Sequence, residues 1–336
     1  MSFSEREFIK RIRAALSEGK ARGLVAGIGD DCAVFRWSEN DSEQRFGLAT
    51  TDALVDSIHF DLSWHPAGLL GRKSLSVNIS DIAAMGGRPL YALLTLGVSG
   101  EGMSGFAEEF MSGFFEVLLE HEMELIGGDT VRSVTPFISV TVIGDVDKER
   151  ILYRSGAKVG DDVWVSGFLG NAAAGLEICR RGLAKDRGNE QMVAAHLNPT
   201  PQIALGEALG ASGLVNAMMD VSDGIATDLS HLCAESGVGA EIEENLIPLS
   251  EELLAAAGVL QHSPLDWALS GGEDYQLLFT ASASNGNRLK SLIKESIGVN
   301  ISRIGRIVKG EGVHLRSFGK TVEVSYSGFD HFSPGS

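Results

Sequence analysis

Six short segments of the chain place carboxylates beside glycine or at the end of an apolar run. They are Gly29-Asp30-Asp31, Thr50-Thr51-Asp52, Asn78-Ile79-Ser80-Asp81, Gly127-Gly128-Asp129-Thr130, Asp220-Val221-Ser222-Asp223-Gly224 and Gly271-Gly272-Glu273-Asp274. Carboxylates and hydroxyls are hard oxygen ligands, suited to Mg²⁺, Mn²⁺ or Ca²⁺. Mg²⁺ takes one or two protein carboxylates and fills its other positions with water and substrate phosphates, which scattered single acids match better than a dedicated cage does. Neighbouring glycines let backbone N–H groups face phosphate oxygens. Each segment alone also reads as an ordinary turn, because Asp and Gly are the usual turn residues. The recurrence is what points to chemistry. No EF-hand loop spacing is present, which argues against a Ca²⁺ sensor.

The common nucleotide cradles fail on inspection. Gly319-Lys320-Thr321 looks like the end of a P-loop, but His314 stands where its first glycine belongs. Gly27-Ile28-Gly29 runs into Asp30-Asp31-Cys32 and lacks the third dinucleotide-binding glycine. The His-Arg-Asp and Asp-Phe-Gly triplets of protein kinases are missing. Lys and Arg number 28 against 45 Asp and Glu, a net charge of −17. Such a chain repels nucleic-acid backbones and anionic membrane surfaces. A phosphorylated ligand therefore needs a local reversal of sign, and metal ions supply one. Cys32, Cys179 and Cys233 are far apart in sequence, which excludes a disulfide framework and a zinc knuckle. Residues 1–13 are polar and charged, without a signal-peptide core, and no apolar run approaches the ~20 residues of a membrane span. The expected compartment is the cytoplasm.

The elements that must position these acids are legible in part. Ser4-Glu5-Arg6-Glu7 is a capping box, followed by Phe8, Ile9, Ile12 and Leu16 at helical spacing. The pattern predicts strands over 46–51, 91–98, 123–126 and 137–143, with helices over 66–85 and 106–121. On this reading Asp52 ends the first strand and Gly127-Gly128-Asp129 is a loop. Residues 144–150 are polar and mark a boundary between a first domain, 1–147, and a second, 148–336. The second half predicts strands over 163–166, 217–219, 240–242, 275–280, 301–307 and 321–325. Its helices fall over 171–181, 201–209 and 223–235, with a charged loop over 182–191. Both halves mix strands and helices, so the class is α/β or α+β.

The loops taken in order resemble the thiamine-monophosphate kinase family. The residues carrying the resemblance are Gly27-Ile28-Gly29-Asp30-Asp31-Cys32-Ala33, Thr51-Asp52 with Leu54-Val55 and His59-Phe60, and the run 77–86 around Asn78-Ile79-Ser80-Asp81. To these are added Leu125-Ile126-Gly127-Gly128-Asp129-Thr130, Asp220-Val221-Ser222-Asp223-Gly224 and Leu269-Ser270-Gly271-Gly272-Glu273-Asp274-Tyr275. The 78–86 and 127–130 elements are shared with the wider superfamily of aminoimidazole ribonucleotide and selenophosphate synthetases. The Thr51-Asp52…His59-Phe60 and Ser270-to-Tyr275 elements point to the kinase.

The resemblance implies phosphorylation of thiamine monophosphate by ATP. It also implies a two-domain fold whose first sheet forms a barrel across a homodimer, with the second α/β domain packed on it. It implies Mg²⁺ ligands at Asp31, Thr50, Thr51, Asp52, Asp81, Asp129, Asp220 and Asp223, several ions in all, with K⁺ a further candidate. Of these, Asp52, Asp81, Asp129 and Asp220 would carry the catalysis. ATP contacts fall on Gly128, Asp129, Arg154 and Ser222, and substrate contacts on His59, Glu273 and Phe329. Phe329 stands where the family commonly has Tyr or Trp; it can stack on a thiamine ring but donates no hydroxyl. Two other readings stay open on sequence: a synthetase of the same superfamily, and an ATP-sensing metal-binding protein without turnover.

Overall fold

The computed structural model describes residues 5–16, 23–38, 44–98 and 103–324. Ser4 of the capping box, Ser325 and Phe329 lie outside them. The first half runs α1 (Glu5–Leu16), β1 (Leu24–Ala26), β2 (Ala33–Arg36), β3 (Arg45–Val55), α2 (Ala67–Ala84), β4 (Arg88–Val98), α3 (Met103–Glu120), β5 (Glu124–Arg132) and β6 (Phe137–Asp147). The second half begins β7 (Asp161–Ser166), α4 (Asn171–Arg180), α5 (Glu190–Leu197), α6 (Ile203–Ser212), β8 (Val215–Asp220), α7 (Ile225–Ser236) and β9 (Gly239–Glu243). It continues α8 (Glu251–Leu260), α9 (Pro264–Ser270), β10 (Leu277–Ser282), α10 (Gly286–Ile297), β11 (Ile301–Val308), β12 (Val313–Ser317) and β13 (Lys320–Glu323).

The first sheet has the order β1-β2-β3-β6-β4-β5, and only β4 and β5 pair in parallel. In β6, Ile138, Val140 and Val142 alternate into the core, the period-2 pattern of a strand with one covered face. The cover is α2 backed by α3. Gly71 and Gly113 allow those helices to touch: a Cβ at Gly71 would lie 2.0 Å from the Phe110 carbonyl oxygen, and one at Gly113 1.9 Å from that of Gly68. The second sheet has the order β13-β12-β9-β11-β7-β10-β8, antiparallel except for β9 with β12. Helix α2 is buried on several sides. Leu75, Ile79 and Ile82 pack into the first core, while Ala83 and Ala84 pack with Leu205, Leu209, Met218 and Leu277 of the second half. One helix thus joins the two halves.

Three expectations are corrected. The strand expected to stop at Asp52 continues to Val55, and Asp52 pairs with Val140. The reason is β6, which offers a partner to every residue of β3 and lets Leu54 bury. Gly127-Gly128-Asp129 is no loop but part of β5, paired along Leu93-Leu94-Thr95. Gly128 has φ +153°, and a Cβ there would lie 1.9 Å from the Leu94 carbonyl oxygen, so the close approach requires glycine. The segment read as a loop to residue 191 ends sooner, because α5 begins at Glu190.

Candidate active site

Three segments remote in sequence meet at one point. Asp31 precedes β2, Asp81 sits in the last turn of α2, and Asp220 ends β8; each offers a carboxylate oxygen, all within 4.8 Å of one another. Hydroxyls orient them: Thr50 Oγ1 donates to Asp81 Oδ2 (2.5 Å) and Ser80 Oγ to Asp220 Oδ2 (2.6 Å). Arg154 donates to Asp31 Oδ1 through Nη2 (2.5 Å) and Nε (3.2 Å), and its backbone N–H donates to Asp30 Oδ1 (2.7 Å). Asp31 Oδ2 is buried and has no hydrogen-bond partner among the described residues. Helix α2 also fixes β3: the Asp52 N–H donates to Asn78 Oδ1 (2.9 Å), while Asn78 Nδ2 donates to the Ser74 carbonyl (3.0 Å).

Crowding of like charges follows. Burial, then Asp31, push Asp220 up to about 7. Burial, then Asp52, Asp220 and Asp31, push Asp81 well above the usual carboxylate range. Asp52 is accessible to water, yet surrounding protein and the charge of Asp223 raise it. Asp228, raised well above its usual value by burial and by Asp223, accepts the Asp223 N–H (3.1 Å). Burial opposes the charge on Arg154, but Asp31, Asp220 and Asp81 hold its pKa above the ordinary arginine value.

A second cluster lies around Glu273. Lys73 Nζ of α2 is 2.7 Å from Glu273 Oε1, and His196 Nδ1 of α5 is 2.9 Å from Oε2. Burial alone would raise Glu273; Lys73 and His196 instead hold it well below the usual range. Glu273 and Tyr275 both have left-handed backbones, φ +68° and +48°. Their N–H groups donate to the Ser222 and Val221 carbonyls (2.8 Å each), which locks the loop onto the one carrying Asp220 and Asp223. Between them Asp274 accepts the Gly170 N–H (2.6 Å) and the Ala172 N–H (3.2 Å) at the start of α4. The Tyr275 phenol is raised by burial, then by Glu273, Asp52, Asp220 and Asp81.

Residues 29–146 match the family described as AIR synthase related protein, N-terminal domain, and residues 158–317 match the corresponding C-terminal domain. A thiamine-monophosphate kinase of Buchnera aphidicola subsp. Acyrthosiphon pisum is 36% identical, over 99% of this chain and 100% of that protein. The thiamine-monophosphate kinase of Escherichia coli (strain K12) is 38% identical over 91% and 92% of the two chains. The chain belongs to the thiamine-monophosphate kinase family. It is an enzyme of that kinase class. A solved structure, AaThiL complexed with AMPPCP and TMP, superposes with a TM-score of 0.83 at 34% identity, covering 98% of this chain and 97% of that one.

Within this kinase-family fold the expected site residues divide. Asp31, Asp81 and Asp220 converge, with Thr50 and Arg154 bonded to them and Asp223 close enough to Asp52 to raise it. Thr51 turns the other way, its hydroxyl donating to the Val140 carbonyl (3.1 Å). Gly128 and Asp129 are not brought there. Gly128 is in register with Asp52 but three strands away, about 14 Å at the usual strand spacing. His59 follows β3, and its Nδ1 accepts the Val55 N–H (3.1 Å). Ser222 contributes its carbonyl to the Glu273 loop. Sequence reasoning missed Lys73 and His196, and it named Tyr275 only as part of a family motif, without a role at the site. The one available signal was Lys73, a cation inside a helix of mostly apolar and small residues.

Proposed function

We propose that the protein transfers the γ-phosphoryl group of ATP to the phosphate of thiamine monophosphate, giving thiamine diphosphate and ADP. The observation that carries this reading is the convergence of Asp31, Asp81 and Asp220, with a buried Asp31 oxygen that has no hydrogen-bond partner among the described residues. An unpaired buried carboxylate oxygen among like charges fits a divalent cation. Asp31, Asp81 and Asp220, with Thr50, Asp52 and Asp223 beside them, would hold several Mg²⁺ ions, and K⁺ is a further candidate. Mg²⁺ bound there would neutralise the charge of the phosphates as they approach.

The chain's own residues do the rest. The nucleophile is a phosphate oxygen, already ionised near neutral pH, so no strong general base is required. Positioning for in-line transfer and charge neutralisation carry the catalysis. Arg154 is held beside the cluster by Asp31 and can reach a phosphate as a planar fork. Ser222 lies next to Asp223 and, with Gly128 and Asp129, is assigned to ATP. Glu273, His59 and Phe329 are assigned to the substrate. The exposed strand β5, with Ile126 and Val131 accessible, supports a homodimer in which two first-half sheets close a barrel, in a cytoplasmic enzyme divided at residues 147 and 148. Among the described residues no helix is long and apolar enough to cross a membrane.

The test is direct. Purified protein, Mg²⁺-ATP and thiamine monophosphate should yield thiamine diphosphate and equimolar ADP, separated by chromatography. Chelator or Asp52→Ala should abolish the product. Release of inorganic phosphate without thiamine diphosphate would favour a synthetase of the same superfamily.

A further inference from the structure

We propose that Lys73 is a positioning residue, which from inside α2 holds the Glu273 carboxylate ionised and aimed at the substrate. Its ammonium has no exposed surface, and among the described residues Glu273 is the one carboxylate within ion-pair distance of it. Glu273 differs: with Oε1 beside Lys73 and Oε2 beside His196, its side chain still keeps 24% of its exposure, which leaves it reachable from outside. A pair with a purely structural task is commonly replaceable by well-packed apolar side chains at no loss of stability. An acid that must meet a ligand has no such substitute. Its direction is also fixed, because the left-handed backbone at Glu273 is locked by the hydrogen bonds of Glu273 and Tyr275 to the 221–222 segment.

The same helix carries both clusters. Lys73 and Asp81 are eight residues apart, about 12 Å along an α-helix. Helix α2 therefore sets the separation between the acids that would hold the metal and the acid assigned to the substrate. The pair also bridges the two halves, Lys73 coming from the first, and Glu273 and His196 from the second. This inference rests on the reading of Glu273 as a substrate contact.

The experiment measures KM for each substrate in the wild type, Lys73→Met, Glu273→Gln and the double variant, with folding checked by thermal melting. In Lys73→Met, KM for thiamine monophosphate should rise at least about tenfold, the weight of one charge-assisted contact, while KM for ATP stays within about twofold. In the Glu273→Gln background, adding Lys73→Met should change KM for thiamine monophosphate no further, and the neutral pair keeps the comparison available if Lys73→Met alone does not fold. Equal rises in both KM values, or a further rise in that background, would overturn the inference. If Glu273→Gln leaves KM for thiamine monophosphate unchanged, the assignment of Glu273 itself falls, and this inference with it. If Glu273→Gln raises it and Lys73→Met does not, this inference alone falls.

Discussion

Two groups of carboxylates sit along helix α2, and the protein treats them in opposite ways. Around Asp81 three acids crowd together, with Arg154 the one cation bonded to them among the described residues, and burial and mutual repulsion raise Asp81 and Asp220. Around Glu273 a buried lysine faces a single acid, and its pKa is lowered. Burial opposes ionisation in both places. The number of protein cations per acid decides the direction. The first group is arranged for cations from outside the chain; the second is compensated by the chain itself.

The sharpest way to break this contrast is to neutralise one acid of each kind. Asp220→Asn should lower kcat by about 10²–10³-fold, the usual effect of removing one group that stabilises transition-state charge. The same change removes a repelled charge, so the metal-free protein should gain about 1–3 kcal/mol at pH 8, read by denaturant titration. Glu273→Gln should instead cost about 3 kcal/mol, because it leaves the Lys73 ammonium buried and unpaired. If both substitutions destabilise equally, the contrast fails.

The pH dependence sharpens the comparison. A raised folded pKa means that the native state keeps a proton the unfolded chain has already lost. Asp220 therefore makes metal-free stability fall as pH rises from about 4 to about 7. Glu273 has the opposite sign: its contribution is complete above the unfolded value of about 4.3 and is lost as pH falls below it. Melting temperatures with chelator should thus decline between pH 5.5 and 8, and saturating Mg²⁺ should restore more at pH 8 than at pH 5.5. The smallest effect is expected away from both clusters. Arg306→Ala breaks a surface pair with Glu241 and should change stability by no more than about 1 kcal/mol, leaving kcat unaltered.

Legibility in the sequence followed the range of the interactions. The α2 pattern over 66–85 matches the observed Ala67–Ala84, because a mostly apolar helix announces itself locally. The end of β3 was misread, because the partner that extends it, β6, lies some 90 residues away in sequence. Asp129 looked equivalent to Asp81 and Asp220 beside its glycines, yet sheet order places it on an edge strand apart from them. Lys73 and His196 carry no motif, and their meaning comes from a loop about 80 to 200 residues further on.

The sequence alone determined the supply of oxygen ligands, the acidic balance that calls for metal ions at a phosphate site, and the order of motifs that marks the family. These are properties of residue type and local spacing. Tertiary structure decided which acids share a point, which one receives a buried cation, and which stands apart. Those outcomes depend on distances between segments remote in the chain, and electrostatic energy depends on distance and burial rather than on position in the sequence.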